Sequence, residues 1–579
     1  MTHTPQTLAS EPVSARDRTI IYLAVLIALF LAALDQTIVA TALPRMVEDL
    51  EGIERYAWVA TAYLLASTAL ALVYGKLADS YPRKHVTLGA VGLFLTGSFL
   101  CGLAGEFGRL PILGDGMTQL ILFRGLQGAG GGGIFAMTFI VIADLYTPAE
   151  RGKYQGFVGA VFGIASVLGP LLGGLLTDHA GGIVPGVEGW RWVFYVNMPI
   201  GGLALWFILR RMPRLDPPDV GARPDLVSGA LLLGGLIPLI LALQIDKRRY
   251  PWLPGLGSAD VGFLAGWTTI GFFVIGVLTL LAFVRRSRAS ASPILDFSLF
   301  ENDVFRTANF ATFFFGASFM SITIFLPLFL VNVLGVSATR AGAALIPFSL
   351  GLVLTATLAG QFVARIGYRG QLLGGAAVFF VAVVLLATMG PNVGYGRVTV
   401  YMILAGLGIG PAMPLFTLAV QNAVDVRFIG QATSASQFFR QTGATVGAAL
   451  MGSVLGTTLA VSFAAIDLPI EVSGPEISSA ESFVATGGAD LPEEIRTSFL
   501  TLADAVSDER VANELRAEGE RRALEASRAV RRAFTDATNR IYWLSAFLVL
   551  LAGGFTMRVP ELPLRTTHDR EVASKSGEG

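Results

Sequence analysis

Fourteen stretches of this chain are apolar for about twenty residues, the length an α-helix needs to cross the hydrocarbon of a bilayer. They fall near residues 19–42, 57–78, 85–104, 118–143, 154–177, 190–209, 226–245, 261–284, 307–333, 341–363, 371–389, 397–420, 439–462 and 541–557. Inside hydrocarbon every backbone N–H and C=O must be satisfied within the segment, so runs of this length are helices. The expected fold class is therefore an all-α membrane protein. Only 15% of the 579 residues are charged, whereas a soluble protein carries about a quarter. The 42 basic and 42 acidic residues cancel, so no nucleic-acid partner is expected. Cys101 is the only cysteine, and the four histidines show no zinc-like spacing. No disulfide, metal or other cofactor is expected from that inventory. The N-terminus, Met1 to Arg18, is polar and lacks a short apolar core with a cleavage site, so the first helix is expected to be retained.

Basic residues in short loops set the orientation. Arg83 and Lys84 follow the second stretch, Arg151 and Lys153 the fourth, and Arg210, Arg211 and Arg214 the sixth. Arg285, Arg286 and Arg288 follow the eighth, and Arg365 and Arg369 the tenth. Every second loop is basic, which places those loops and both termini in the cytoplasm. Lys247-Arg248-Arg249 stands against this rule. The resulting layout is a tail over 1–18, six helices over 19–209, two helices over 210–285, and helices nine to thirteen over 286–462. A long loop over 463–540, a last helix over 541–557 and a tail over 558–579 complete it. The long loop is polar, and from Leu491 onward its apolar residues recur at helical spacing. It reads as an amphipathic helical pair on the outer face, a spacer or a partner-binding module, whose last helix runs into helix fourteen.

One carboxylate, Asp35, sits inside the first stretch, in Leu31-Ala-Ala-Leu-Asp-Gln-Thr-Ile-Val-Ala-Thr-Ala-Leu-Pro44. An acid there costs about 2.5–3.5 kcal/mol even on the lenient insertion scale, so it faces a bundle interior or a wet cavity and is a functional candidate. The alternative is an acid at a helix end reaching to the headgroups. Arg124 lies in the fourth stretch, within Leu122-Phe-Arg-Gly-Leu-Gln-Gly-Ala-Gly-Gly-Gly-Gly133, which lacks the lysine and preceding strand of a phosphate loop. Counted at 1.5 Å per residue, Asp35 and Arg124 both lie about 10 Å below the outer boundary. The fifth stretch holds Gly163, then Gly169-Pro-Leu-Leu-Gly-Gly174; its glycines let a neighbour approach, and Pro170 removes a backbone donor. An acid and a guanidinium at one level beside such a helix fit proton coupling, with a structural buried ion pair as the alternative. Between the second and third stretches, Gly75-Lys-Leu-Ala-Asp-Ser-Tyr-Pro-Arg-Lys84 places Asp79, Arg83 and Lys84 where an ion pair makes and breaks as two halves rock.

Taken together these motifs resemble those of a fourteen-helix member of the major facilitator superfamily, in the drug:proton antiporter branch (EmrB/QacA-like exporters). Residues 34–44 are similar to its first-helix signature, 75–84 to its loop motif, 122–133 to its fourth-helix arginine motif and 163–174, with Gly173, to its antiporter motif. Trp190-Arg-Trp-Val-Phe-Tyr-Val-Asn-Met-Pro-Ile-Gly201 and Gln437-Phe-Phe-Arg-Gln-Thr-Gly443 add further matches. Pro82 departs from the loop motif, which has glycine there, and 463–540 is longer than the resemblance requires. The resemblance implies two six-helix halves with helices seven and eight inserted. Gly360-Gln-Phe-Val-Ala-Arg-Ile-Gly-Tyr-Arg369 reads as a decayed copy of 75–84. It also implies a substrate site midway between the halves, for which Trp58, Tyr63, Gln127, Phe315, Phe325 and Phe329 are candidates. Asp35 and Arg124 are then expected to couple protons, and 75–84 to switch the access state. The expected partners are protons, the bilayer and small lipophilic or cationic substrates, and the chain is expected to act as a monomer in the cell membrane. A dedicated exporter of one metabolite or lipid fits the same motifs; a non-transporting sensor or adaptor leaves the embedded charges without a purpose. No catalytic triad or nucleotide motif appears, so an enzyme is not expected.

Overall fold

The computed structural model describes residues 14–50, 55–109, 111, 113–182, 184, 186–216, 225–244, 261–290, 292–336, 338–464, 491–504, 506 and 508–565. Among these, thirteen helices are long and apolar enough to cross a membrane, and Val227–Leu239 is a shorter apolar segment. The chain is a multi-pass membrane protein. In order, the helices are α1 Ala15–Asp49, α2 Tyr56–Ser80, α3 Arg83–Gly102, α4 Gly116–Leu145 and α5 Pro148–His179. Next come α6 Gly189–Arg211, α7 Leu226–Gln244, α8 Val261–Ala289 and α9 Asp303–Asn332. Then follow α10 Arg340–Ile366, α11 Arg369–Ala387, α12 Tyr395–Ala423 and α13 Ile429–Ala464. The amphipathic α14 Leu491–Asp504 precedes α15 Glu509–Met557, whose last part is the fourteenth span.

Local chemistry sets several helix ends. Ser14 accepts the Asp17 N–H and starts α1. Asp115 accepts the Thr118 N–H at the start of α4, and both its oxygens are held by Arg55. The Arg55 guanidinium holds that carboxyl well below the usual carboxylate range. Thr147 and Glu150 form a capping box around Pro148 at the first turn of α5.

The packing has an internal two-fold plan. In the first half α1 packs on α5 and α6, while α2 and α3 pack on α4; in the second, α9 packs on α13 and α15, while α10 and α11 pack on α12. The halves meet along α2 with α13 and along α5 with α10, two contacts exchanged by the same symmetry. The inserted α7 and α8 pack on each other and lean on α2 and α13 through α7. Outside this frame, α14 folds back along α15: a Cβ on Gly519 would lie 2.5 Å from Phe499 Cβ, and Arg496 pairs with Glu520.

Two boundaries differ from the hydropathy reading. The first helix runs through Pro44 to Asp49, because hydropathy marks only its apolar length. The span α12 is broken at Gly410-Pro411, between Tyr395–Ile409 and Ala412–Ala423. The apolar stretch 541–557 is the end of a 49-residue helix, Glu509–Met557, so the loop's last helix runs into helix fourteen as its spacing implies. Lys247-Arg248-Arg249, and residues 465–490 of the long loop, lie outside the described residues.

Candidate functional site: a buried ion pair and a clasp between the halves

Asp35 is fully buried, and its Oδ2 accepts from Arg124 Nη1 at 2.5 Å. Its Oδ1 accepts from Gln127 Nε2 at 2.7 Å and from Asn197 Nδ2 at 3.4 Å. The same Gln127 turns its Oε1 back to accept from Arg124 Nη1 at 2.8 Å, so one amide bonds both members of the pair. Arg124 lies over the Tyr63 ring, 4.4 Å from its centroid, a cation–π contact. Asn197 is in turn held by Ser98 at 2.9 Å. Helices α1, α2, α3, α4 and α6 thus converge on one acid. Asn197 Oδ1 is buried there without a hydrogen-bond partner among the described residues.

The glycines of the fifth helix position this site. A Cβ on Gly169 would lie 2.0 Å from Thr37 Oγ1, and one on Gly173 2.0 Å from Thr41 Oγ1, so α1 lies directly against the α5 backbone. Thr37 donates to the Ala165 carbonyl at 2.9 Å. Gly163 serves a different contact, facing Val353 of α10, whereas a Cβ on Gly174 meets nothing within 4 Å. Pro170 sits inside the continuous α5 helix.

The loop motif forms a clasp between the halves. Asp79 accepts the Gly430 and Gln431 N–H groups at 2.9 and 2.8 Å, the free first-turn donors of α13. Arg83 stands 3.7 Å from Asp79 Oδ1 and donates through Nε to Asp144 at 2.9 Å. A Cβ on Gly75 would lie 1.8 Å from Ser434 Oγ and 2.6 Å from the Gly430 carbonyl, so α2 and α13 touch backbone to backbone. Lys84 takes no part in the clasp and donates to the Leu209 carbonyl. Further bonds cross nearby: Gln155 to Gln421, Thr68 to Gln441, Ser166 to Ser349, and Ala149 N–H to the Arg565 carbonyl. All of them lie from the Ser166 level toward the Asp79 end.

Among the candidates for a substrate site, Gln127 and Tyr63 are parts of the Asp35 cage. Phe315, Phe325 and Phe329 pack in the core of the second half at 4, 5 and 0% exposure; Phe315 lies 5.7 Å from the Phe416 ring. Trp58 is half-buried on α2. The sequence reading missed Asn197, Ser98, Asp144 and the α13 start. Asn197 stands inside a quoted motif, and its polarity in an apolar stretch was the available signal.

These features define a multi-pass membrane protein of two equivalent six-helix halves, joined at one end, with a buried acid–guanidinium pair in the first. Residues 25–448 match the profile of the Major Facilitator Superfamily, and the chain belongs to that superfamily. The multidrug transporter protein MdtP of Bacillus subtilis (strain 168) is 35% identical over 439 residues, covering 76% of this chain and 75% of the relative. Multidrug resistance protein 3 of the same organism is 36% identical over 434 residues, covering 75% and 79%. Among solved structures, the proton:xylose symporter XylE bound to 6-bromo-6-deoxy-D-glucose shares the fold with a TM-score of 0.56. That match has 13% identity and covers 96% of this chain and 99% of that one.

Proposed function

We propose that the chain exports small lipophilic compounds, neutral or singly charged, across the cell membrane by alternating access in exchange for protons. Both termini and the Asp79 clasp are cytoplasmic in this reading, so the clasped state is closed to the cytoplasm. The observation that carries it is Asp35, fully buried and held by Arg124 and Gln127. A buried carboxylate needs a partner for its charge, Arg124 in this state or a proton in a state that draws the two apart. In this reading α1 shifts against α4 inside the first half as the two halves rock, and that shift sets which state binds the proton. The names of the relatives, both multidrug proteins, support export over import.

The test is substrate-induced proton release from purified protein. Wild type should release protons on adding a transported compound, and Asp35→Asn should neither release them nor export against a gradient. A neutral variant that still does both removes Asp35 from the coupling mechanism.

A further inference from the structure

The second half holds a charge that the coupling mechanism does not use. Arg440 lies on α13 ten residues beyond Gly430, which puts it about 15 Å from the Asp79 clasp along the helix. Its direction follows from Thr433, whose hydroxyl accepts from Gln421 at 2.9 Å. Gln421 also bonds Gln155 of α5 and the Phe139 carbonyl of α4, so that face of α13 turns to the axis between the halves. Seven residues are two turns, so Arg440 shares the face with Thr433, nearer the middle of the membrane. Beside it, Gln441 accepts from Ser67 and Thr68 of α2. Asp35 lies at a similar depth: Thr37 meets α5 near Ala165, thirteen residues and about 20 Å from the Gly152–Gly360 contact that mirrors Gly430–Gly75.

The two charged sites differ in balance. Asp35 and Arg124 cancel. Arg440 donates to Gln437 Oε1, and no carboxylate among the described residues lies within ion-pair distance. None is close in sequence either: from Val304 to Val424, and from Val426 to Ala464, the second half contains no Asp or Glu. A guanidinium in a spanning helix without a counter-charge is expensive, and its planar fork matches a carboxylate, sulfonate or phosphate through two bonds at once.

We propose that Arg440 recognises an acidic group on the exported compound, so that the preferred substrates are amphipathic anions with an apolar body. The inference names the substrate class of the export reading and rests on that reading only for transport. A cationic compound meets a net positive site, since the single deep acid is already paired.

The experiment uses full-length protein in nanodiscs and two fluorescent probes with the same ring system, anilinonaphthalenesulfonate and its uncharged parent phenylnaphthylamine. Arg440→Gln should weaken sulfonate binding about tenfold or more, the range of a lost charge-assisted bond, and leave the parent within about twofold. Arg440→Lys, which keeps the charge but not the fork, should fall between. Equal loss of both probes in Arg440→Gln overturns the proposal in favour of a packing role, and so does unchanged sulfonate binding. Arg440-dependent binding without proton-driven movement in vesicles upholds the recognition site and counts against the export reading alone.

Discussion

The two contacts between the halves share one backbone geometry and differ in charge. At α2 with α13, Gly75 and Gly430 meet backbone to backbone, and Asp79 bridges the junction. At α5 with α10, Gly152 and Gly360 meet equally closely, with a Cβ on Gly360 2.0 Å from the Gly152 carbonyl. Ala364 stands where the Gly75 spacing would put the acid. The difference follows from where each helix begins. Gly430 is the second residue of α13, so its N–H is a free first-turn donor that needs an acceptor. Gly152 is the fifth residue of α5, past its free donors; in the first turn the capping box joins Thr147 and Glu150, and the Arg565 carbonyl already takes the Ala149 N–H. An acid in the second half would have nothing to hold. The clasp is therefore one-sided, and so is the membrane charge: an acid and its partner in the first half, and in the second an arginine with no ion-pair partner among the described residues.

The largest effect should come from unbalancing the first half. Arg124→Gln leaves Asp35 buried without its cation, at a cost of about 3–5 kcal/mol. Adding Asp35→Asn should recover most of that stability, as read by thermal unfolding in detergent, while proton-driven export stays lost. If the double variant regains export, the pair is structural and the coupling site lies elsewhere.

A smaller effect is expected at the clasp. Asp79→Asn exchanges a carboxylate that accepts two N–H groups for an amide with one acceptor oxygen. At about 1.5–3 kcal/mol for a hydrogen bond to a charged group, the closed state loses ten- to a hundred-fold in population. Turnover should fall while probe affinity holds. Unchanged turnover with a large affinity loss would falsify the switching role. Gly75→Ala sharpens the comparison, because its Cβ meets a serine oxygen and a backbone carbonyl at the charged contact. Gly360→Ala meets a backbone carbonyl at the uncharged one. Both should hold the cytoplasmic end ajar, measured by cysteine accessibility there; a change in only one shows that the halves open about a single contact.

Helix number and the Asp35–Arg124 pairing are legible in the sequence, since apolar length and two lone charges at one depth are local properties. The rest depends on distance along the chain. Asp79 and Gly430 are 351 residues apart, and no spacing rule joins a loop acid to a helix start in the other half. Asn197 and Ser98 are small polar residues that hydropathy averages into their stretches. Arg440 was visible within Gln437–Gly443, but its weight comes from the absence of any acid around it. The acid-free runs on either side are legible in the sequence; that no described carboxylate from another helix reaches Arg440 shows only once the helices are placed.

The smallest effect concerns the segments that follow the last helix of each half. After α6, the Leu215 carbonyl accepts the Arg83 N–H at the start of α3. After α15, Glu561 accepts the Tyr368 and Arg369 N–H groups at 2.9 and 2.7 Å, at the start of the equivalent α11. Both devices serve free donors at a helix start, and both stay within their own half. Glu561 therefore resembles Asp79 in chemistry but not in reach. Because Glu561 is exposed, Glu561→Gln should cost only about 1 kcal/mol, as for a helix-capping bond. In a chain of this size that lowers the unfolding midpoint by at most about 2 °C. Export should continue at the wild-type rate within about twofold, since the states compared in transport keep this bond alike. If Glu561→Gln instead slows turnover as Asp79→Asn does, the tail of the second half moves with the clasp, and the one-sidedness argued from Ala364 fails.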